Sequence, residues 1–286
     1  MRVAIIGAYG QLGSDLVTVL QQAGGYHVFP LAHSQVDCAE EGSVRKALLE
    51  AQPDVVVNSA AFVRVDEAED RPEEAFRTNA LGALRVARVC AEMGAVCVYV
   101  STDYVFSGEK NEPYTEADAP RPINVYGASK LAGEHLTQQS SLRCLIVRLA
   151  SLFGRAGARG KGGNFVETIL AQARSEKTLR VIDDVRMSPT YIFDAAQIIE
   201  RLIGEKAMGV FHVANEGSCT WHEFARKILD LAAVDATPER ISSKDFPAKA
   251  RRPANSALAS VKVMPALRPW QEGLKAYLEE TGHIQR

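Results

Sequence analysis

Short apolar runs alternate with longer amphipathic segments through the first half of the chain. The runs that predict strands are residues 2–7, 27–32, 54–60, 95–102 and 144–153. Helical spacing of apolar positions predicts helices between them, at about 12–22, 43–51, 72–93 and 126–139. Val55, Val56 and Val57 follow one another without polar interruption, which is typical of a strand covered on both faces.

This regular exchange of strand and helix predicts parallel strands joined by right-handed crossovers. The expected fold is therefore α/β, with a doubly wound, Rossmann-like parallel sheet. We find no internal repeat in the sequence.

The pattern changes after Phe153. A stretch with five glycines at 154–163 precedes a predicted helix at about 164–175, a short strand at 179–182 and a helix at about 192–203. The run 210–214 is a candidate late strand of the main sheet, and prolines break up the remainder. We expect an NAD(P)-binding domain at 1–153 plus about 178–214, and a smaller, mostly helical substrate domain at about 154–177 plus 215–286.

The charge balance argues against polyanionic partners. The 33 basic and 35 acidic residues give a net charge of −2, so no large positive field exists to attract nucleic acid or an anionic membrane. Met1 leads directly into the first predicted strand, without the apolar run and cleavage site of a signal peptide. The five cysteines are scattered and lack CxxC spacing, so we expect no structural zinc and a reduced, cytoplasmic protein.

A glycine-rich turn follows the first strand and opens the first helix. Residues 7–13 read GAYGQLG, which places Gly7, Gly10 and Gly13 three residues apart. Such glycines allow a tight turn, close approach of the backbone to a pyrophosphate, and close packing of helix on sheet. The helix N-terminus adds free N–H groups and the positive end of its dipole. We predict dinucleotide binding by this turn, whose remaining candidate contacts are Tyr9, Gln11 and Leu12.

The end of the second strand bears on the choice of cofactor. Ala32, His33 and Ser34 stand where an Asp or Glu would read the 2′-hydroxyl of NAD. Because no carboxylate is present to repel a 2′-phosphate, NADPH is favoured, and NADH is the alternative cofactor. Asp37 is a candidate adenine contact, or alternatively a residue that begins the next helix.

Tyr126 and Lys130 lie four residues apart at the start of a predicted helix, on one face. A Lys ammonium near a phenol favours the phenolate, so we expect a lowered pKa for Tyr126 and a role as proton donor. Thr102, at the end of the fourth strand, is a candidate third member that binds the substrate oxygen. A surface pair is the alternative for YxxxK alone, but parallel sheets bind ligands at this edge.

Two longer segments, VSTDYVFSG at 100–108 and NVYGASKLAGE at 124–134, strongly resemble the dTDP-4-dehydrorhamnose reductases, which are extended short-chain dehydrogenases/reductases. The resemblance spans nearly the whole chain. Its other matches are VNSAAF at 57–62, VDEAE at 65–69, Asn79-Ala80, GNF at 163–165, SPT at 188–190 and RPANS at 252–256.

The resemblance implies the last step of dTDP-L-rhamnose synthesis, a precursor of cell-surface polysaccharide. NAD(P)H would deliver hydride to the C4 ketone of dTDP-4-dehydro-L-rhamnose, Tyr126 would supply the proton and Thr102 would orient the ketone. Ala60, Ala61 and Ser101 are expected at the cofactor together with Tyr126 and Lys130. The residues expected at the sugar nucleotide are Thr102, Asp103, Val105, Phe106, Asn164, Phe165 and Arg252.

The chain departs from the family pattern at two places. Ser151 stands where an aromatic residue is common, which predicts an altered sugar pocket. Some relatives bind magnesium at a dimer interface through an acidic residue just after the Pro-Thr pair. Here Tyr191, Ile192 and Phe193 follow, and Asp15 alone does not make such a site, so we expect no metal. The protein is expected to be a monomer or a homodimer.

Two basic segments leave alternatives open. The stretch 154–163, with Arg155, Arg159 and Lys161, suits a diphosphate or is a solvated loop, and it lacks the Ser or Thr of a P-loop. Arg251 and Arg252 face the same diphosphate or pair with surface carboxylates.

Three other functions compete with the predicted one. A reductase of another 4-ketosugar nucleotide is the closest. A non-catalytic regulatory subunit of the methionine adenosyltransferase type resembles the same family. A sugar-nucleotide dehydratase would carry a Glu after Asp103, where this chain has Tyr104.

Overall fold

A computed structural model describes residues 1–156, 163–175 and 178–285. Its strands are β1 (Arg2–Ile6), β2 (His27–Leu31), β3 (Val55–Asn58), β4 (Val96–Thr102), β5 (Cys144–Leu149), β6 (Leu152–Phe153), β7 (Arg180–Ile182), β8 (Arg186–Met187), β9 (Thr190–Tyr191), β10 (Gly209–Val213), β11 (Cys219–Thr220) and β12 (Glu239–Ile241). Its α-helices are α1 (Gln11–Ala23), α2 (Glu41–Ala51), α3 (Val65–Asp70), α4 (Pro72–Phe76), α5 (Gly82–Met93), α6 (Val125–Ser140), α7 (Phe165–Arg174), α8 (Ile192–Gly204), α9 (Trp221–Leu231) and α10 (Trp270–Glu280). A π-helical turn, Arg77–Leu81, joins α4 to α5, and 3-10 turns lie at Asp103–Val105 and Ser243–Asp245.

The main sheet has six strands in the order β10-β5-β4-β3-β1-β2. All five pairings between them are parallel. The chain leaves β1 toward β2 on one side and returns to β3 on the other, so the order reverses between β1 and β3. The predicted doubly wound sheet is confirmed, and its switch point is where such sheets bind ligands.

Alternate residues of β1 feed two separate cores. Val3 and Ile5 pack with apolar side chains of α1 and α8, whereas Ala4 and Ile6 pack with those of α2 and α5. The uninterrupted valines of β3 divide in the same way between the two faces. A strand covered by helices on both sides needs apolar residues at every position, which explains the pattern in the sequence.

The later segments follow the prediction in part. The expected late strand is β10, which pairs with β5 in the main sheet. The expected strand at 144–153 is two strands, because Ser151 has a φ of +41° and interrupts it between β5 and β6. Strand β7 pairs with β12, so residues 180–182 belong by packing to the second cluster of elements rather than to the main sheet.

That second cluster is rich in aromatic rings. Side chains from α7, α9 and α10 enclose Phe153, Phe224, Trp270 and Tyr277, which are nearly or fully buried. Phe153 lies 5.5 Å from Phe224 and from Tyr277, measured between ring centroids. The division of the chain into a cofactor domain and a substrate domain stays a prediction, in which this cluster would form the core of the smaller unit.

All five cysteines are buried and unpaired. No helix among the described residues has both the length and the apolar composition that a membrane crossing requires.

Candidate active site

The glycine turn fills the switch point between β1 and β3. Gly7 has a φ of +80°, and a Cβ there would lie 2.9 Å from the Ser59 hydroxyl oxygen and 3.0 Å from the Ala60 nitrogen. A Cβ on Gly13 would lie 2.2 Å from the Gly7 carbonyl oxygen. Both positions therefore exclude side chains, and the turn lies directly against Ala60 at the end of β3.

The first turn of α1 offers free hydrogen-bond donors at this point. Gly10 is the N-cap residue of α1. It has no side chain that could accept a hydrogen bond from the N–H groups of Gln11, Leu12 and Gly13. Tyr9 is half exposed beside them. Since helix N-termini with unpaired N–H groups bind phosphate, this cradle fits the diphosphate of a dinucleotide.

The residues expected near the adenosine end lie on the same edge of the sheet. His33 and Ser34 are exposed just after β2, and Ala61 is half buried after β3. The Asp37 carboxylate accepts a hydrogen bond from the Ala39 N–H at 2.8 Å. Asp37 thus shapes the turn before α2, which was the alternative considered for it, and its contact with adenine stays a prediction.

Helix α6 begins at the carboxyl end of β4, and two neighbours fix its first turn. The Asn124 side chain caps the helix by accepting a hydrogen bond from the Gly127 N–H at 2.7 Å. A Cβ on Gly127 would lie 2.1 Å from the Tyr104 carbonyl oxygen. The glycine after Tyr126 therefore lets the turn 103–105 pack directly onto the helix.

This packing brings Tyr126 to Thr102. The two residues are near neighbours, and burial raises the pKa of Tyr126 to about 12 even though Thr102 opposes the shift. The Thr102 hydroxyl donates to Asp103 Oδ1 at 3.0 Å. Burial also raises the pKa of the Asp103 carboxyl to about 6, against hydrogen bonds from Ser256 and Thr102.

The expected lowering of the Tyr126 pKa is wrong for this geometry. Lys130 Nζ donates to the Val100 carbonyl at 2.6 Å and lies 4.2 Å from the centroid of the Tyr99 ring. Burial lowers the pKa of Lys130 to about 7, with the Glu134 carboxylate opposing the shift. The ammonium is thus directed at strand β4, and burial of the phenol dominates.

The side chains predicted to contact the sugar nucleotide divide into two groups. Val105 and Phe106 are fully buried, and Phe106 stacks on Tyr114 at 4.2 Å, so they form the wall behind the site. Asn164 is committed internally, since it donates to the Gly154 carbonyl and the Tyr277 hydroxyl, both at 2.9 Å. Phe165 packs 4.7 Å from Trp221.

Arg252 is tied to the active-site region through two partners. It makes a two-pronged ion pair with Asp66 and contacts the hydroxyl of Tyr104. The Tyr104 ring meets the Tyr126 ring edge-on at 6.0 Å. The alternative that Arg252 pairs with a carboxylate is thus observed. Tyr104 stands between the Arg252 guanidinium and the Tyr126 phenol.

Asn79 is a site residue to which the sequence reasoning gave no role. It lies fully buried in the π-helical turn, where its amide exchanges hydrogen bonds with the Phe62 backbone at 2.8 and 3.1 Å and donates to the Ser129 hydroxyl at 2.9 Å. It therefore ties the loop after β3 to helix α6. A π turn inserted in a long helix often marks a functional site, but it has no simple sequence signature.

The two departures from the family pattern lie close to each other in space. Ser151 is half buried after β5, and burial raises the pKa of Asp15 to about 6 with help from the charge of Glu280. The Tyr191 hydroxyl donates to that same Glu280 carboxylate. The described residues contain no group of three or more metal-ligating side chains.

In the basic segment 154–163, the Arg155 guanidinium lies 3.5 Å from the Glu280 carboxylate, whereas Arg159 and Lys161 fall outside the described residues.

Comparisons with known proteins match this chain over nearly its whole length. The family model for the RmlD substrate binding domain matches residues 1–282. The chain is 38% identical to the spore coat polysaccharide biosynthesis protein SpsK of Bacillus subtilis, covering 98% of this chain and 97% of that protein. It is 36% identical to the dTDP-4-dehydrorhamnose reductase of Aggregatibacter actinomycetemcomitans, covering 97% and 99%.

A solved structure shares the fold of this chain over nearly its whole length. The dTDP-4-dehydrorhamnose reductase of Bacillus anthracis, crystallised in complex with NADP, superposes with a TM-score of 0.92 at 36% identity, covering 98% of this chain and 99% of that one. More distant structures, such as a Thermus thermophilus UDP-glucose 4-epimerase at 22% identity, share the fold. From the matched motifs, the shared fold and these full-length relatives, the chain belongs to the dTDP-4-dehydrorhamnose reductase family.

Proposed function

We propose that this protein reduces the C4 ketone of dTDP-4-dehydro-L-rhamnose to give dTDP-L-rhamnose, the last step of dTDP-rhamnose synthesis, with NADPH as cofactor. Its relatives carry this activity in their names, and the Bacillus anthracis relative binds NADP. The observation that carries the proposal is that Thr102 ends β4 and Tyr126 lies in the first turn of α6, which packs against the turn after β4, on the same sheet edge as the glycine turn.

The distance along that edge suits the reaction. Strands β4, β3 and β1 are neighbours, so Thr102 lies two strand spacings, about 10 Å, from the glycine turn. NADPH supplies the hydride when bound with its diphosphate at the N-terminus of α1. The turn of Gly7, Gly10 and Gly13 would hold the diphosphate, and the ketone would bind farther along the edge, near Thr102 and Tyr126.

The chain's own groups supply the proton. In the reductive direction an alkoxide forms at C4, and an alkoxide is more basic than a phenolate, so Tyr126 transfers its proton downhill. The raised pKa is an advantage here, because it keeps the phenol protonated across the physiological range. Thr102 would orient the ketone by its hydroxyl, and Lys130, one helical turn after Tyr126, would supply positive charge at this end of the site.

NADPH is preferred because nothing acidic at the end of β2 opposes a 2′-phosphate. His33 and Ser34 are exposed there, and the nearest carboxylate, Asp37, is engaged with the Ala39 N–H. NADH lacks the phosphate and is expected to be a weaker cofactor rather than an excluded one. A monomer or homodimer in the cytoplasm is the expected setting.

The test is reduced-cofactor absorbance with enzymatically made dTDP-4-dehydro-L-rhamnose. Wild type should oxidise NADPH only when the ketosugar is present. Loss of a positioned general acid costs roughly 10²–10⁴-fold, so Tyr126→Phe should lower kcat by that factor while cofactor affinity is retained. Tyr104→Phe, which alters the neighbouring ring, should lower kcat less than tenfold.

Two outcomes contradict the proposal. If wild type binds NADPH but leaves this ketosugar unreduced, the substrate is a different 4-ketosugar nucleotide or the protein acts without turnover. If Tyr126→Phe keeps wild-type turnover, the proton comes from another group.

A further inference from the structure

A buried ion pair lies behind the active site. The Arg148 guanidinium on β5 binds both oxygens of the Glu134 carboxylate on α6, at 2.9 Å from Nε and 2.7 Å from Nη2. The two side chains are 5% and 2% exposed. Taking two charges out of water is costly, and replacement of such pairs by apolar residues is often neutral or stabilising. The pair therefore invites an explanation other than stability.

Further polar groups hold the pair in place. The Ser101 hydroxyl on β4 donates to Glu134 Oε1 at 2.5 Å. His212 on β10 places Nε2 3.4 Å from Arg148 Nη1 and Nδ1 3.0 Å from the Ala259 carbonyl. A carbonyl only accepts, so Nδ1 carries the proton and Nε2 accepts from Arg148. Burial lowers the pKa of His212, which agrees with a neutral ring.

This arrangement lies next to Lys130, the lysine that is predicted to take part in the reaction. Glu134 lies one helical turn after Lys130 on α6, and Ser101 follows the Val100 carbonyl that binds the ammonium group. Lys130 is only 2% exposed, and such burial favours loss of the proton from its ammonium group. A fixed negative charge nearby is needed to retain it.

The other groups around Lys130 do not supply that charge. On its own helix Tyr126 is a neutral phenol, and on β4 the Tyr99 hydroxyl is occupied in donating to the Asn79 carbonyl at 2.8 Å. Asp103 is turned toward Thr102, which donates to it. Arg148 on β5 contacts Glu134 and brings one positive charge, whereas His212 on β10 contacts Arg148 and is neutral. The Glu134 carboxylate, one helical turn away on α6, opposes the lowering of the Lys130 pKa by burial.

We propose that Glu134 is a positioning residue of the reductase. Its carboxylate favours the ammonium form of Lys130 at the end of β4. Ser101 and Arg148 hold that carboxylate one helical turn from Lys130, and His212 contacts Arg148. The proposal rests on the proposed function only in assigning Lys130 to the reaction. The electrostatic link between Glu134 and Lys130 is a property of the free protein.

The first test is therefore free of cofactor and sugar. Protein labelled with ¹³C at lysine Cε is titrated by NMR, with Lys130→Arg identifying the resonance of interest. Wild type should show Lys130 titrating near the value of about 7. Glu134→Gln should lower its proton affinity about tenfold, one pKa unit, whereas Glu134→Asp should retain most of the wild-type value.

Two further variants guard the interpretation. Glu92→Gln removes a carboxylate that pairs with Arg45 at the surface, and it should leave the Lys130 titration unchanged. If Glu134→Gln fails to fold because Arg148 is left uncompensated, Glu134→Gln combined with Arg148→Met removes both charges and takes its place. An unchanged Lys130 titration in the folded Glu134 variant overturns the proposal.

Kinetics separate positioning from mere support of the fold. If Lys130 must be charged, Glu134→Gln should lose turnover at a pH about one unit lower than wild type does and should approach wild-type kcat at low pH. A purely structural role would lower kcat by the same factor at every pH and would contradict the proposal. Should wild type fail to reduce the ketosugar, the NMR result still decides the role of Glu134, so failure of the proposed function is distinguishable.

Discussion

The glycine turn and the region around Tyr126 and Lys130, both predicted to bind ligand, are built by opposite means. The turn works by leaving side chains out, since a Cβ on Gly7 or Gly13 would press on neighbouring backbone or side-chain atoms. The other end works by enclosing ionisable side chains, and burial shifts the pKa values of Tyr126 and Lys130 in opposite directions. One end therefore depends on shape, and the other depends on the electrostatic cost of burial.

The sharpest way to test this comparison is to remove the enclosed charge. Lys130→Met should abolish most turnover yet relieve the protein of a costly buried ammonium. The Lys130 pKa is lowered in the folded state, so the unfolded chain binds its proton more tightly. The destabilisation is absent above about pH 10.5, grows by about 1.4 kcal/mol per pH unit as pH falls, and levels off below about pH 7, on the order of 5 kcal/mol in total.

Urea unfolding of wild type and Lys130→Met between about pH 7 and pH 9.5 measures this trend. The gain in unfolding free energy from Lys130→Met should be larger at the lower pH. A constant difference across the range would show that burial of Lys130 carries no electrostatic penalty. Lys275→Met, at an exposed position of α10, is the matched control and should show no such trend.

The next largest effect should come from adding a side chain to the turn. Gly13→Ala places a methyl group 2.2 Å from the Gly7 carbonyl oxygen and 2.7 Å from the Ala8 Cα, both of which are backbone atoms. Overpacking of this kind costs about 1–3 kcal/mol, and displacement of the turn should weaken NADPH binding by at least about tenfold.

Gly42→Ala provides the comparison, because a Cβ there meets nothing within 4 Å. Thermal unfolding and quenching of protein fluorescence by NADPH measure the two effects. Equal behaviour of the Gly13 and Gly42 variants would refute the claim that the turn works by excluding side chains.

The smallest effect is expected at Arg252, which lies at the margin of the enclosed end. Its ion pair with Asp66 is partly exposed, so Asp66→Asn should change the free energy of unfolding by less than about 1 kcal/mol. Arg252→Ala should raise KM for the sugar nucleotide more than it lowers kcat, because the guanidinium contacts Tyr104 rather than Tyr126. A fall in kcat without a change in KM would instead place Arg252 in the chemical step.

The sequence predicts the turn better than the enclosed end for a physical reason. A turn that needs glycine at three positions displays those glycines in order, and the strands around it display their burial as apolar runs. The burial of β3 on both faces and the place of β10 in the main sheet agree with what the apolar runs predict.

The enclosed end depends on distances that no periodicity encodes. Tyr126 and Lys130 were identified by spacing, but the direction of the Tyr126 pKa was wrong because burial outweighs the neighbouring ammonium. Glu134 is bound by Ser101 of β4 and Arg148 of β5, and Arg148 in turn contacts His212 of β10, so the residues involved come from distant parts of the chain. The pairing of β7 with β12 was not predicted, because a three-residue strand carries no mark of its partner.

The π-helical turn at Arg77–Leu81 has a consequence for how this family can change in length. A π turn holds one residue more than the α-helix it interrupts, and each residue rotates a helix by about 100°. Deleting one residue there would restore a regular helix but swing Asn79 away from Phe62 and Ser129. Insertions and deletions are therefore expected to accumulate in the loops around the cleft, while the residue count from Pro72 to Met93 is held fixed.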